Sequence, residues 1–93
     1  MPYCKTAYSI PERDSVLTTL SVFTRECFVM GQAAYEIDNN RFSIDAGEND
    51  IRALYDEESG LVKFFCRYDD DMPKYEKKLK TFAISHDIEV AEL

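Results

Sequence analysis

Residues 61 to 68 read Leu-Val-Lys-Phe-Phe-Cys-Arg-Tyr, and this stretch carries the clearest structural signal in the chain. Every second side chain from Val62 onward is apolar or aromatic, whereas Lys63 and Arg67 occupy the alternate positions. Successive side chains of a β-strand point to opposite faces of the sheet, so the pattern predicts a strand with one buried face. The residues of that face are Val62, Phe64, Cys66 and Tyr68.

Other segments carry weaker strand signals on both sides of this one. Residues 3 to 10 are rich in residues that favour β-strands, and Pro11 stops this segment. A second β-rich region begins at Phe28, with Gly31 as a candidate bulge. Turn-forming residues then separate the remaining strands. The turns are expected at residues 38 to 40, 47 to 50 and 56 to 60. The strand faces between them contain Ala33, Tyr35 and Ile37, then Phe42 and Ile44, then Ile51, Ala53 and Tyr55.

Two amphipathic helices are also predicted. Ser9 precedes Glu12 by three residues, as in a capping box, and Pro11 suits a first helical turn, so the first helix is expected to begin here. The second helix is expected after Asp69-Asp70-Asp71. One Asp can cap this helix, and the negative charges of the others interact favourably with the positive end of the helix dipole. The apolar stripes are Val16, Leu20, Phe23 and Cys27 in the first helix, and Met72, Tyr75, Leu79, Phe82 and His86 in the second.

The order of elements is therefore β-α-β-β-β-β-α, with or without a short strand in the alternating C-terminal residues 87 to 93. We expect one α+β domain over residues 1–93, with a single antiparallel sheet of about four to five strands and two helices packed on one face. A chain of 93 residues is long enough for one core and too short for two. The order of strands within the sheet does not follow from the pattern.

The cysteines and the N-terminal residues bear on the compartment. Cys4, Cys27 and Cys66 lie far apart without a CxxC spacing, which favours reduced thiols over disulfides or a zinc site. No apolar leader or membrane-spanning run is apparent. We therefore expect a cytoplasmic protein that does not interact with a membrane.

Catalytic and cofactor motifs are not apparent in the sequence. The chain has no glycine-rich phosphate loop and no GxSxG or HExxH motif, and the acidic clusters do not match a calcium loop. The single histidine, His86, stands beside Asp87, but adjacent helical residues point in different directions, which favours a structural role. We predict no catalytic, cofactor-binding or metal-binding residue and no enzymatic activity. Weak magnesium or calcium binding, and a hydrolase whose carboxylates are distant in sequence, stay open as alternatives.

The charge balance favours a basic partner. Eleven basic against 18 acidic residues give a formal net charge of −7, which repels phosphate backbones and argues against nucleic acid as a direct ligand. A basic protein surface is the better electrostatic match. The alternative is that the acidity only keeps a small protein soluble.

Acidic residues cluster where turns or a helix start are predicted, so that several clusters can contribute to one surface. The predicted contacts with a partner are Asp56, Glu57, Glu58, Asp69, Asp70 and Asp71, flanked by Tyr55 and Tyr68. A third cluster, Asp45, Glu48 and Asp50, precedes them. The sequence thus predicts a non-enzymatic protein that neutralises a basic, nucleic-acid-handling partner such as a nuclease or nucleoprotein complex. Small immunity proteins and phage-encoded inhibitors of restriction or CRISPR systems work in this general way, an analogy of size and charge alone.

Two other function classes are compatible with the sequence. The first is a structural or adaptor homodimer, joined through edge strands or through the exposed side of the sheet. The second is a small enzyme or ligand-binding domain without a recognisable motif. The lysines between Lys74 and Lys80 could also meet an acidic partner, although such a stretch is more often a solvated helix face.

Overall fold

The computed structural model describes residues 3–28, 33–45 and 51–93, with the side chain of Asp45 excluded. Two α-helices, one 3-10 turn and six strands lie in these ranges. In chain order they are β1 (Thr6–Ser9), α1 (Asp14–Cys27), β2 (Tyr35–Asp38), β3 (Arg41–Asp45), β4 (Ile51–Asp56), β5 (Leu61–Cys66), the 3-10 turn η1 (Asp69–Asp71), α2 (Met72–His86) and β6 (Val90–Glu92). The predicted bulge at Gly31 and the predicted turn at residues 47 to 50 lie outside the described residues.

The strands form one antiparallel sheet in the order β2-β3-β4-β5-β1-β6. The predicted α+β class with a single antiparallel sheet and two helices is confirmed. The sheet has six strands, so the predicted four to five is wrong, and the sixth is the short C-terminal segment. That segment forms β6 because it pairs with β1, and the backbone N–H of Leu93 donates to the carbonyl of Lys5 at 2.7 Å.

Both helices pack on the same face of the sheet. Helix α2 is fastened to β1 by Glu76, whose carboxylate accepts hydrogen bonds from the backbone N–H and the hydroxyl of Thr6 at 3.1 and 3.0 Å. Helix α1 is fastened to β3 by the hydroxyl of Thr24, which lies 3.0 Å from the carbonyl oxygen of Ile44. The predicted helical stripes are buried along most of their length, with Val16, Leu20 and Phe23 from α1 and Tyr75, Leu79 and Phe82 from α2.

Tyr8 occupies the centre of this core. Its ring makes edge-to-face contacts with Phe23 of α1 and Phe64 of β5, and it stacks on Phe82 of α2. Its hydroxyl donates a buried hydrogen bond of 2.6 Å to the carbonyl of Leu79. One side chain of β1 therefore contacts both helices and a neighbouring strand, and its polar atom is satisfied without water.

The start of α1 and the capping of α2 differ from the sequence prediction, whereas α2 begins after Asp71 as predicted. The predicted capping box at Ser9 and Glu12 is wrong, because Ser9 is the last residue of β1 and α1 begins at Asp14. The backbone N–H of Ile10 donates to the carbonyl of Gly60 at 2.8 Å, which keeps the chain beside the sheet past Ser9. The predicted aspartate cap of α2 is also absent: Asp71 stands at the N-cap position, but its side chain makes no capping hydrogen bond.

The clearest predicted strand ends two residues early. β5 stops at Cys66, and Tyr68 is 52% exposed rather than part of the buried face. Beyond Cys66 the chain turns into η1 and α2, and the sulfur of Cys66 lies 3.2 Å from the carbonyl oxygen of Tyr68. At the far edge of the sheet, Tyr35 and Ile37 of β2 are both exposed, as suits an edge strand.

Replacing Tyr8 tests the central hydrogen bond. Tyr8→Phe should lower the free energy of unfolding by about 0.5 to 1.5 kcal/mol, because the buried hydrogen bond from its hydroxyl to the carbonyl of Leu79 is lost. Urea denaturation followed by circular dichroism measures this. Tyr68→Phe removes a hydroxyl from an exposed ring and should leave the midpoint unchanged. Equal midpoints for both variants would contradict the assigned role of Tyr8.

Candidate functional site

The two acidic clusters predicted as one contact surface lie at opposite ends of the sheet. Asp56 ends β4 and Glu57 and Glu58 lie in the turn before β5, whereas residues 69 to 71 follow the other end of β5. The six residues of β5 rise by about 3.3 Å each, so roughly 20 Å of strand separates the clusters. The six carboxylates therefore do not form one patch.

The two flanking tyrosines also have different environments. Tyr55 is 4% exposed, and its hydroxyl donates to the carbonyl of Ile10 at 2.9 Å. Tyr55 therefore belongs to the core and offers a partner no ring surface, which is a correction to the predicted contact set. Tyr68 is exposed beside η1, and the guanidinium of Arg67 lies 5.4 Å from the centre of its ring.

The turn that carries Glu57 and Glu58 packs against the connection between β1 and α1. Gly60 has a left-handed backbone with φ of 72°, and a Cβ atom placed there would lie 3.5 Å from the Cα atom of Pro11. The backbone hydrogen bond from Ile10 to Gly60 fixes the same approach. Glu12 and Asp14, both exposed and both next to this connection, are thereby brought to the same end of the sheet.

The connection between α2 and β6 completes this end. The backbone N–H of Ser9 donates to the carbonyl of Glu89 at 2.8 Å, and Asp87 ends α2 in the left-handed region with φ of 54°. A shallow groove of about 360 Å³ has Pro11 and Glu12 on one wall and Asp87 and Glu89 on the other. Three turns from distant parts of the sequence therefore meet at one surface.

We call this surface the acidic end. It consists of Glu12, Asp14, Asp56, Glu57, Glu58, Asp87 and Glu89. The two arginines near it are engaged, since Arg13 forms an ion pair of 2.9 Å with Glu36 and Arg41 pairs with Asp38. Among the described residues, the acidic end thus presents seven carboxylates and its neighbouring arginines are already paired.

Asp56 is held in its charged form. Hydrogen bonds from the side chain of Ser59 and from the backbone N–H of Glu58 lower the pKa of Asp56 below its usual range, and Lys63 adds a smaller effect in the same direction. The turn that presents Glu57 and Glu58 is therefore braced by a carboxylate that stays ionised at neutral pH.

The cluster at η1 has mixed charge by comparison. Asp69, Asp70 and Asp71 are preceded by Arg67 and followed by Lys74 and Lys77 within the first two turns of α2. Opposite charges that are this near in the sequence weaken the field that the aspartates can project toward a partner. The two clusters therefore differ in the charges that neighbour them in the sequence.

His86 bridges the two helices. Its Nε2 atom lies 2.6 Å from a carboxylate oxygen of Glu26, and its ring centre lies 4.2 Å from that of Phe82. The neighbouring Asp87, considered in the sequence as a partner for His86, instead ends the helix. These contacts give His86 a structural role between α1 and α2.

The thiols are held in their protonated form. Burial, together with the negative charge of Glu76, raises the pKa of Cys4 to about 12. Burial also raises the pKa of Cys27, although the positive charge of Lys78 partly opposes this rise. At Cys66, burial and the negative charges of Asp69 and Asp71 all raise the pKa. The thiolate is the nucleophilic form, so these three groups are poor nucleophiles at neutral pH.

In the ranges that the structure describes, no three His, Cys, Asp or Glu side chains come close enough to hold a metal ion. No helix in these same ranges is long and apolar enough to cross a membrane. Comparison with protein-family models, with curated proteins and with solved structures gives no match for this chain.

Four residues of the acidic end are absent from the predicted contact set, namely Glu12, Asp14, Asp87 and Glu89. Each lies within a few residues of the place where one element ends and the next begins. Charged residues at such junctions are a usable signal, but only the sheet order shows which junctions meet.

Thiol labelling tests the burial of the cysteines. In the native protein at pH 8, Cys4 and Cys66 should not react with a chromogenic disulfide reagent, and the half-buried Cys27 should react slowly. All three should react at once in denaturant. Native labelling should disappear in Cys27→Ala, and fast labelling that persists in this variant would contradict the assigned burial.

Proposed function

We propose that this protein is a non-enzymatic binding protein that inhibits a basic, nucleic-acid-handling protein by docking its acidic end onto that partner. The observation that carries the proposal is the convergence of seven carboxylates from three separate turns on one end of the sheet. The chain has seven more acidic than basic residues, so the rest of the molecule does not offset this field.

The carboxylates are carried by a rigid support. The three turns are joined by backbone hydrogen bonds of 2.8 Å, from Ile10 to Gly60 and from Ser9 to Glu89. A preorganised charged surface loses little conformational entropy on binding, and complementary charge increases the rate of encounter. Both effects favour a fast and tight inhibitor.

A nuclease or another protein that binds phosphates suits this surface. Such a protein presents a basic groove, and a row of carboxylates can occupy the positions of phosphate oxygens there. The protein would act in the cytoplasm, where reduced thiols such as the three of this chain persist. Inhibition would follow from covering the groove, with no chemical step by this protein.

Charge reversal at one end of the sheet tests the proposal. Glu57→Lys with Glu58→Lys should reduce capture of the partner from host lysate by about tenfold or more at about 50 mM salt. The matched control is Asp69→Lys with Asp70→Lys at the opposite end. Each pair removes two negative charges and adds two positive ones, which takes the net charge from −7 to −3 in both variants. The control should bind nearly as well as the natural sequence.

Three outcomes would contradict the proposal. An equal loss of partner capture in both variants would show that binding depends on net charge and not on the acidic end. Capture that persists at about 500 mM salt would point to an apolar interface. Recovery of the protein only with itself, as a stable dimer, would favour the adaptor homodimer. Thermal melting of both variants separates these outcomes from unfolding, because all four side chains are exposed.

A further inference from the structure

The shallow groove at the acidic end has an apolar floor. Ile10, Pro11 and Ile88 line it, between the connection from β1 to α1 and the connection from α2 to β6. Ile10 is 8% exposed and Ile88 packs against the core, so neither side chain can move away without a loss of packing. The floor is therefore a fixed apolar strip at the surface of the molecule.

Hydrogen bonds of the backbone hold this floor in place. The N–H of Ile10 donates to the carbonyl of Gly60 at 2.8 Å, and the N–H of Ile88 donates to the carbonyl of Ala83 at 2.9 Å. The carbonyl of Ile10 accepts a further hydrogen bond of 2.9 Å from the hydroxyl of Tyr55. The shape of the groove is thus set before a partner arrives, which lowers the entropic cost of binding.

Three carboxylates border the apolar floor. Glu12 lies on one wall, Asp87 and Glu89 lie on the other, and all three residues are exposed. These carboxylates make no ion pair or side-chain hydrogen bond within the described part of the chain. The adjacent Arg13 is paired with Glu36 instead. The three negative charges are therefore available to a cation from outside the chain.

Two helix ends with opposite dipoles border the groove. Helix α2 ends at His86, so its last carbonyls bring partial negative charge to the wall that contains Asp87. Helix α1 begins at Asp14, and the carboxylates of Glu12 and Asp14 oppose the partial positive charge of that end. The charges around the groove therefore sum to a negative value, which favours a cationic occupant.

An arginine side chain matches both the floor and the walls of the groove. Its apolar stem can lie on the floor, and its planar guanidinium carries five N–H donors that can serve carboxylates on two sides. A phosphate group would meet three like charges there. A second copy of this chain carries a net charge of −7, so its approach to the acidic end is opposed by repulsion.

We propose that this groove is the anchor point of the partner and takes one exposed arginine side chain of that protein. The assignment rests on the proposed function, because it names the group that the basic partner inserts into the acidic end. It adds that one desolvated arginine, rather than evenly spread charge, carries a large share of the binding energy. Arginine is one of the residue types that most often do so at protein interfaces.

Methyl NMR of isoleucine-labelled protein tests the groove without the partner. The probes are a glycine-flanked arginine peptide and the same peptide with citrulline, which has nearly the same shape and no charge. The arginine peptide should shift the methyl signals of Ile10 and Ile88 with half-saturation at about 1 to 10 mM. The citrulline peptide should bind about fivefold more weakly or worse. Ile37 of β2 is the reference signal and should not shift.

Neutral substitutions separate the groove from the rest of the acidic end. Glu12→Gln with Glu89→Gln should weaken binding of the arginine peptide by about fivefold or more. The matched control is Glu57→Gln with Glu58→Gln, which also takes the net charge from −7 to −5 and should bind within about twofold of the natural sequence. Equal weakening by the two pairs, or equal binding of the arginine and citrulline peptides, would overturn the arginine anchor.

Capture of the partner from host lysate distinguishes this assignment from the proposed function. Ser15 lines the groove, and Ser15→Trp adds bulk there without a change in charge, so capture should fall by about tenfold or more. Leu17→Trp on the same helix is its control and should capture the partner normally. Full capture by Ser15→Trp together with loss in Glu57→Lys with Glu58→Lys would overturn the anchor and leave the proposed function standing. Full capture by both would overturn both proposals. Thermal melting confirms that each variant is folded.

Discussion

Tyr8 and the one-sided burial of the sheet around it set the arrangement of the rest of the molecule. Its ring lies between α1, α2 and β5, and its hydroxyl is bonded to the backbone of α2. Because both helices cover this side, the described connections collect at the two ends of the sheet. The position of the acidic end follows from that geometry, because the turns that carry its carboxylates meet at one end of the sheet.

Periodicity predicted the elements well where one face is buried. The alternate apolar residues of β4 and β5 are buried, and so are most residues of the apolar stripes of both helices. The start of α1 was not predictable in the same way. Ser9 and Glu12 have the spacing of a capping box, but a tertiary hydrogen bond from Ile10 to Gly60 keeps the chain extended there. The number of strands depended on whether the three residues of β6 pair with β1, and this pairing joins segments that are distant in the sequence.

The candidate site was only partly accessible from the sequence. The burial of Tyr55 was implied, since it shares alternate positions with Ile51 and Ala53. The separation of the two acidic clusters was also implied, because a strand between two turns places them at its opposite ends. The sequence did not imply that Glu12 and Asp87 lie near the turn at Glu58, because this proximity depends on the order of strands.

The most direct test of the acidic end is an NMR titration of the isotope-labelled protein with a short lysine-rich peptide at low salt. Amide shifts should change at the acidic end, around Glu12, Glu58 and Asp87, and should return to their starting values as salt is added. The amides of η1 should change little. Changes centred on residues 69 to 71, or spread evenly over the acidic residues of the chain, would contradict the account.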